Sequence, residues 1–295
     1  MDYIIAIAED QNITKAADKL FITRSALNHY LINLENELGM PLFKRLHNKL
    51  IPTQAGEIYI KAAREIMLIG VQAEKSLLDL YDCTQGTLNF GITRGRGAEV
   101  FGMVYPQFIE RYPNFSINLR EGNVLELDQL LLNGQIDLAW SGIGINVSPL
   151  EHIILDTSEV LLAIPRKHRL AYLEQESKEQ SFAQIDLRLL KGEKFALMKP
   201  ESRIREITDY FFQKAGFEPQ IMFESSTIDL LHDLVKKGAC LTFVPKSIVA
   251  SHSDALYFSI QPEVKFKQSI SFRKGTYFSE AELYLVELLK EQLVK

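Results

Sequence analysis

Cysteine is scarce in this sequence. Cys83 and Cys240 are the two in 295 residues, far apart and without Cys-x-x-Cys spacing. A disulfide framework and a structural zinc site are both unexpected on that count, and the thiols read as reduced, as in a cytoplasmic protein. Long apolar runs are missing too. No stretch approaches the ~18 apolar residues of a membrane span, and the opening MDYIIAIAEDQN carries acids where a secretory signal would carry bases. The chain is expected to stay in the cytoplasm, with no membrane partner. The histidines His29, His47, His152, His168, His232 and His252 are scattered, with neither an H-E-x-x-H pattern nor paired metal spacing. Ser141 stands in W-S-G-I-G rather than a G-x-S-x-G elbow, and no phosphate-cradling glycine loop follows a strand. No catalytic residue, metal site or cofactor is expected, and an enzyme is the least favoured reading.

What is present is ordinary for a globular chain: 46% hydrophobic and 24% charged residues, enough for about two domains with a core each. The net charge of -5 repels nucleic acid as a whole. Residues 15–64 go against that balance, with eight basic residues against four acidic ones.

That basic region also has helical rhythm. The segment IAIAEDQNITKAADKLFITRSALNHYLINLENELG reads as three helices, the second capped by Thr14, the third by Thr23 and ended by Gly39. Leu27, Leu31, Leu34 and Leu38 form one buried stripe, and Ser25, His29, Ile32, Asn33 and Asn36 lie opposite, flanked by Arg24 and Asn28. Two short helices joined by the tight FIT connection suggest a helix-turn-helix. After Pro41, LFKRLHNKLIPT reads as a β-hairpin wing turning at His47-Asn48-Lys49. Any small three-helix core gives the same leucine stripe, so periodicity alone leaves DNA binding open.

From Thr53 to about Cys83 the chain reads as one long helix without proline. Tyr59, Ala62, Ile66, Ile69, Ala73, Ser76 and Leu80 alternate at spacings of three and four, with Leu77 able to share the place of Ser76. That seam suits the same helix of a second subunit, or packing within its own domain. From residue 86 onward short apolar strands alternate with amphipathic helices, which implies helix-covered parallel sheets. A polar stretch near 165–190 divides them into two lobes, with the last helix returning to the first.

At this point the sequence resembles the LysR-type transcriptional regulators. The pieces AA-x-x-L, S-A-L, L-E-x-E-L-G, P-L-F-x-R and T-x-A-G run through residues 16–56 in that family's order and spacing, and GTLNFGIT, FIERYPN, LLLNGQIDLA, LLAIPRKHRLA and AGFEP follow more loosely. The resemblance implies a winged helix-turn-helix with a long linker helix, then an α/β two-lobed domain similar to periplasmic binding proteins with an effector between the lobes. The expected divisions are a DNA-binding domain over 1–55, a linker and dimerisation helix over 56–84, and an effector domain over 85–295. Lobe I of that domain covers about 86–162 and 266–295, and lobe II about 163–265. It also implies a homodimer or homotetramer on double-stranded promoter DNA, with RNA polymerase as a further partner. Three departures stand out: family members carry several more residues ahead of YIIAIAED, so Met1 reads as an internal start or the first helix as truncated. Arg24-Ser25 and Asn28-His29 replace the usual glutamine-proline and serine-arginine. Arg94 and Arg96 follow the first effector strand, where short hydroxyl residues are usual.

The site residues follow from these placements. Arg24, Ser25, Asn28 and His29 are expected at base edges, with Thr23 as a cap beside a phosphate, and Lys44, Arg45 and Lys49 on phosphates. Strand ends in an open α/β fold put Thr93, Arg94, Ser141, Gly142, Ser202, Arg203, Ser225 and Ser226 around a cleft, with the arginines suiting a carboxylate or phosphate effector. Tyr59, Ala62, Ile66, Ile69, Ala73 and Leu80 are the expected dimer seam. The rival is a solute-binding protein without a transcriptional role, which has no use for residues 1–83.

Overall fold

The computed structural model describes residues 1–47, 49–79, 85–144, 149–176, 182–249 and 254–294. The turn residue Asn48 and the positions Leu80, Cys83 and His252 lie outside them. The chain divides into two units, Met1–Asp82 and Cys83–Lys295.

In the first unit, α1 (Asp2–Asp10), α2 (Ile13–Lys19) and α3 (Arg24–Leu38) precede the hairpin strands β1 (Phe43–Leu46) and β2 (Lys49–Pro52) and the long α4 (Gln54–Asp79). Ile4, Ile7, Ala16, Leu27 and Leu31 close the core, and Tyr3 meets Tyr30 edge-on at 4.9 Å to bind α1 to α3. Thr23 caps α3, its hydroxyl oxygen accepting from the Ala26 N–H at 3.1 Å. Two expectations are corrected. Asn12, not Thr14, caps α2, because its side chain reaches the N–H groups of Thr14 and Lys15 at 2.9 and 3.2 Å. Leu38 is 38% exposed, since α3 projects past the core in its last turn, and the buried stripe is Leu27 and Leu31 with Leu34 half-buried.

The shared sequence pieces of this unit have structural causes. In L-E-x-E-L-G, the Glu35 carboxylate accepts from the Leu42 and Phe43 N–H groups at 2.7 and 3.1 Å, tying α3 to the hairpin, and Gly39 ends α3 at φ +70°. In T-x-A-G, Thr53 donates its hydroxyl to the Pro41 carbonyl at 2.7 Å and accepts from the Gly56 N–H at 3.1 Å. A Cβ on Gly56 would lie 2.0 Å from the Leu42 carbonyl oxygen, so only glycine lets α4 start there.

In the second unit the elements are β3 (Gln85–Thr93), α5 (Arg96–Arg111), β4 (Asn114–Gly122), α6 (Val124–Leu132), β5 (Leu138–Ile143) and β6 (Glu151–Pro165). After them come β7 (Gln184–Ile185), β8 (Lys194–Met198), α7 (Arg203–Ala215), β9 (Gln220–Ser225), α8 (Ile228–Lys236), β10 (Thr242–Pro245), β11 (Ala255–Ile260), β12 (Lys265–Phe272) and α9 (Glu280–Val294). The main sheet runs β4-β3-β5-β12-β6-β11-β7, with β10 also paired to β6, and β8 pairs β9 in parallel. Strand β6 serves both lobes. Its first part pairs β12 as far as Glu159, and from Val160 onward it pairs β10 and β11.

Leu88, Phe90, Val104, Phe108 and Leu285 pack lobe I under α5 and α9, and Phe195, Phe211, Phe212, Phe243 and Phe258 pack lobe II. The stretch at 165–190, read as loop, contains two 3-10 turns, Ala171–Glu176 and Leu187–Leu190, and the short edge strand β7. Among the described residues, no helix is long and apolar enough to cross a membrane, and no group of three His, Cys, Asp or Glu side chains is placed to hold a metal.

Candidate functional site

Two surfaces gather the residues singled out from the sequence, one in each unit. In the first, Thr23, Arg24, Ser25 and His29 are exposed on the first turns of α3, and Asn28 is half-buried beside them. Lys44, Arg45 and Lys49 are exposed on the antiparallel hairpin, where Arg45 faces Leu50 and Leu46 faces Lys49. Arg24 does more than extend the helix face: with Arg45, Lys49, Asn12 and Thr14 it lines a cleft of about 200 Å³ between the start of α2, the start of α3 and the hairpin. No described carboxylate pairs with Arg24, Lys44, Arg45 or Lys49, so three free cations line that cleft and a fourth, Lys44, is exposed on the same hairpin. That arrangement suits a polyanion.

Along α4, Ala62, Ile66, Ile69 and Ala73 are exposed, Ile66 and Ile69 to 51% and 66%. Tyr59 is a correction. It lies half-buried against the core of its own unit, near the buried Ile60 and Ala63, because the helical turn brings residues 59, 60 and 63 onto the inward face. Ile58 and Leu77, also exposed, extend the outer stripe at both ends.

In the second unit one cavity of about 150 Å³ lies between the lobes. Thr93, Arg94, Ser141, Gly142, Ser202, Arg203 and Ser226 all line it. Ser225 does not: it is buried, and its hydroxyl oxygen accepts from the Thr227 N–H at 3.0 Å to hold the turn before α8. Sequence reading missed the Gly122–Val124 turn after β4, Lys199, and the β12 residues Phe266 and Gln268. The β12 side chains carry no strand-to-helix signal, because Phe266 lies at the start of β12 and Gln268 in its middle, with no helix next to either in sequence.

The cavity's cations are mostly held already. Arg203, first residue of α7, pairs with Asp128 of α6 at 2.8 Å, both side chains 16% exposed, and more loosely with Glu206 at 3.5 Å. Burial lifts the Asp128 carboxyl above its ordinary range, with Arg203 pulling the other way. Arg96 pairs with Glu99 at 2.8 Å, and Arg94 approaches Glu126 only to 3.9 Å from an exposed position. Lys199 is exposed and has no ion-pair partner among the described residues.

Four helices begin at the cavity. Asn123 caps α6 in a capping box with Glu126, and Ser202 caps α7. At α5 and α8 no side chain among the described residues caps the first turn, which leaves their N–H groups open to a ligand. Behind the cavity Ser141, Ser271 and His152 form a chain of hydrogen bonds across the sheet, at 3.2 and 2.9 Å. Burial, helped by Arg203, lowers the affinity of His152 for a proton.

Comparison with known proteins places both units. Residues 1–57 match the family model described as the bacterial regulatory helix-turn-helix protein of the lysR family, and residues 83–294 match the LysR substrate binding domain. The uncharacterized HTH-type transcriptional regulator YybE of Bacillus subtilis is 28% identical over 95% of this chain and 93% of its own. The HTH-type transcriptional regulator AlsR of the same organism is 31% identical over 84% of this chain and 80% of its own. A full-length OxyR variant from Pseudomonas aeruginosa shares the fold with a TM-score of 0.66 at 19% identity, covering 99% of this chain and 95% of that one. An open basic face on a winged helix-turn-helix, a cavity between two α/β lobes and these matches along the whole chain lead to one conclusion: the protein belongs to the LysR family of DNA-binding transcriptional regulators with an effector-binding domain.

Proposed function

We propose that the protein is a cytoplasmic, sequence-specific regulator and not an enzyme, and that an anionic metabolite held between its lobes changes how it sits on promoter DNA. The observation that carries the DNA half is the set of unpaired cations beside the exposed start of α3. Ser25, Asn28 and His29 read base edges in the major groove, Asn28 being able to pair twice with adenine. Lys44, Arg45 and Lys49 hold phosphates, and Thr23 contributes its cap and one phosphate contact. Arg24 shares the cleft of Arg45 and Lys49, so we assign it to the backbone in the first instance and to a base only secondarily. The effector half is supported by Arg94, Lys199 and the open starts of α5 and α8, all at one cavity.

One such domain covers a short half-site, so useful affinity needs a dimer. The exposed Ala62, Ile66, Ile69 and Ala73 stripe of α4 is the surface we assign to it; Leu80 would continue it. Strand edges β4 and β9, with Leu119, Ile221, Met222 and Phe223 exposed, are suited to a second contact that would make a tetramer. RNA polymerase is the partner through which a bound dimer would act.

Fluorescence anisotropy on the full chain tests this, using DNA from upstream of its own gene against random competitor, over a salt series. Wild-type protein should prefer the upstream duplex. Asn28→Ala should lose roughly 1.5 kcal/mol on the specific duplex and little on random DNA. Lys49→Ala should weaken both alike and reduce the salt slope by about 0.9. No preference for any duplex over competitor would overturn the regulator reading.

A further inference from the structure

Among the described residues that line the effector cavity, four leave a buried polar atom without a partner: Arg96 and Arg203, each at its Nε, and Trp140 and Gln268, and Gln268 alone of the four offers an acceptor. Trp140 and Gln268 both line it, 3% and 5% exposed. Among the described residues the indole Nε1–H is a donor with no acceptor, and the Gln268 Oε1 is an acceptor with no donor. Unpaired buried groups like these are rare in folded proteins and costly to leave unmade.

Their placement is set by strand register. Trp140 of β5 lies opposite Ile270 of β12, and Gly142 lies opposite Gln268. Trp140 and Gln268 therefore project from the same face of neighbouring strands as a diagonal pair, a separation of about 7–8 Å at the backbone. Gly142 lets the Phe266 ring lie over that face, since a Cβ there would strike the ring at 2.3 Å. The two side chains make no hydrogen bond to each other, and a group placed between them must both accept and donate. A hydroxyl does both, whereas a carboxylate or ketone only accepts and an ammonium only donates. Val124, Ile204, Ile228 and Phe266 form an apolar part of a wall that also carries polar groups, and its loosely held cations are Arg94, 3.9 Å from Glu126, and Lys199, unpaired among the described residues.

Resting on the effector reading above, we infer that the ligand is a compact hydroxy-carboxylate whose hydroxyl bridges Trp140 and Gln268. Its carboxylate lies toward Arg94, Lys199 and the open helix starts, and its carbon frame packs against the apolar part of the wall. The space, comparable with a cavity that takes one benzene ring, limits that frame to about one six-membered ring or a short branched chain. A site built around a hydrogen-bonded hydroxyl rejects the deoxy analogue strongly, because its own buried groups are then left unpaired.

The test is isothermal titration of the full-length protein with matched pairs: 3-hydroxybenzoate against benzoate, hydroxycyclohexanecarboxylates against cyclohexanecarboxylate, and 2-hydroxy-4-methylpentanoate against 4-methylpentanoate. Inorganic phosphate, glycerol phosphate and neutral amides form a second arm. At least one hydroxylated member should bind about tenfold or more tightly than its deoxy partner. Gln268→Met, which keeps volume and loses the acceptor, should bring that pair to within about threefold. Trp140→Phe should do the same if the first variant unfolds. Equal binding of both partners, a preference that survives in the variants, or no hydroxy-carboxylate bound at millimolar concentration overturns the inference. In that last case a phosphate or amide that binds wild type but not Ser226→Trp, which fills the cavity, leaves the effector site standing. Silence from every class removes both.

Discussion

The two units divide their labour differently. In the first, the residues that hold the backbone and the residues proposed to meet DNA are separate sets except at Thr23, which caps α3 and is also assigned a phosphate. Glu35, Thr53 and Gly56 fasten the hairpin and α4 to the core, while Arg24, Lys44, Arg45 and Lys49 are free of partners among the described residues. In the second, the same side chains do both jobs. Arg203 lines the cavity and also closes an ion pair from α7 to Asp128 on α6, across the lobes. Asn123 lines it and caps α6. The difference follows from the ligands. A DNA face meets a large polyanion, so unpaired exposed charge costs little in the free protein and gains on contact. A small enclosed cavity cannot hold several bare cations without desolvation cost, so its arginines are neutralised from behind.

Substitution can break this contrast, and the largest effect belongs to the framework of the first unit. Gly56→Ala drives a methyl into the Leu42 carbonyl and should cost about 3 kcal/mol, with loss of DNA binding as a consequence of unfolding. Thermal unfolding followed by circular dichroism checks it, and an unchanged midpoint would mean that α4 can start elsewhere. Next is Arg203→Ala, which leaves the Asp128 carboxylate without its cation at a site only 16% exposed. We expect about 2 kcal/mol of destabilisation, less than for a fully buried pair because some water reaches it. Asp128→Asn in the same background should recover most of that loss. If Arg203→Ala leaves stability intact and alters only ligand binding, the second unit separates building from binding as the first does, and the contrast fails.

How much could be read from the sequence follows the same line. The helix-turn-helix was legible because its signals are local: Thr23 and Gly39 bracket α3, Leu27 and Leu31 repeat at one turn, and Lys44 to Lys49 fall on one hairpin. The cavity was half legible. Thr93 and Ser202 carry a local signal, the switch from strand to helix, and both reach it. Gln268 and Phe266 carry none: Gln268 enters from the middle of β12 opposite Gly142 of the distant strand β5, and Phe266 from the start of β12 opposite Ser158 of β6. Ser225 shows the reverse case, a residue at a strand end whose side chain closes a turn instead. Tyr59 was misplaced because a spacing of three and four fits two adjoining faces of one helix, and the sequence does not say which faces inward.

The smallest effect tests the boundary between the two sets in the first unit. Phe21, in the turn from α2 to α3, holds φ +55° and is 96% exposed. A side chain in the left-handed region costs roughly 1 kcal/mol, and so exposed a ring recovers little of that by packing. Backbone hydrogen bonds keep the turn in place, from Phe21 N–H to Asp18 and from Ile22 N–H to Ala17 at 3.2 and 3.1 Å, and glycine would preserve both. Phe21→Gly should therefore raise stability by about 1 kcal/mol, visible as a rise of a few degrees in melting temperature. If the midpoint does not rise, the ring supports the turn and belongs with Glu35 and Thr53. If it rises while affinity for the upstream duplex falls, the strain is retained for contact, and the binding set extends beyond α3 and the hairpin into the turn that joins the helices.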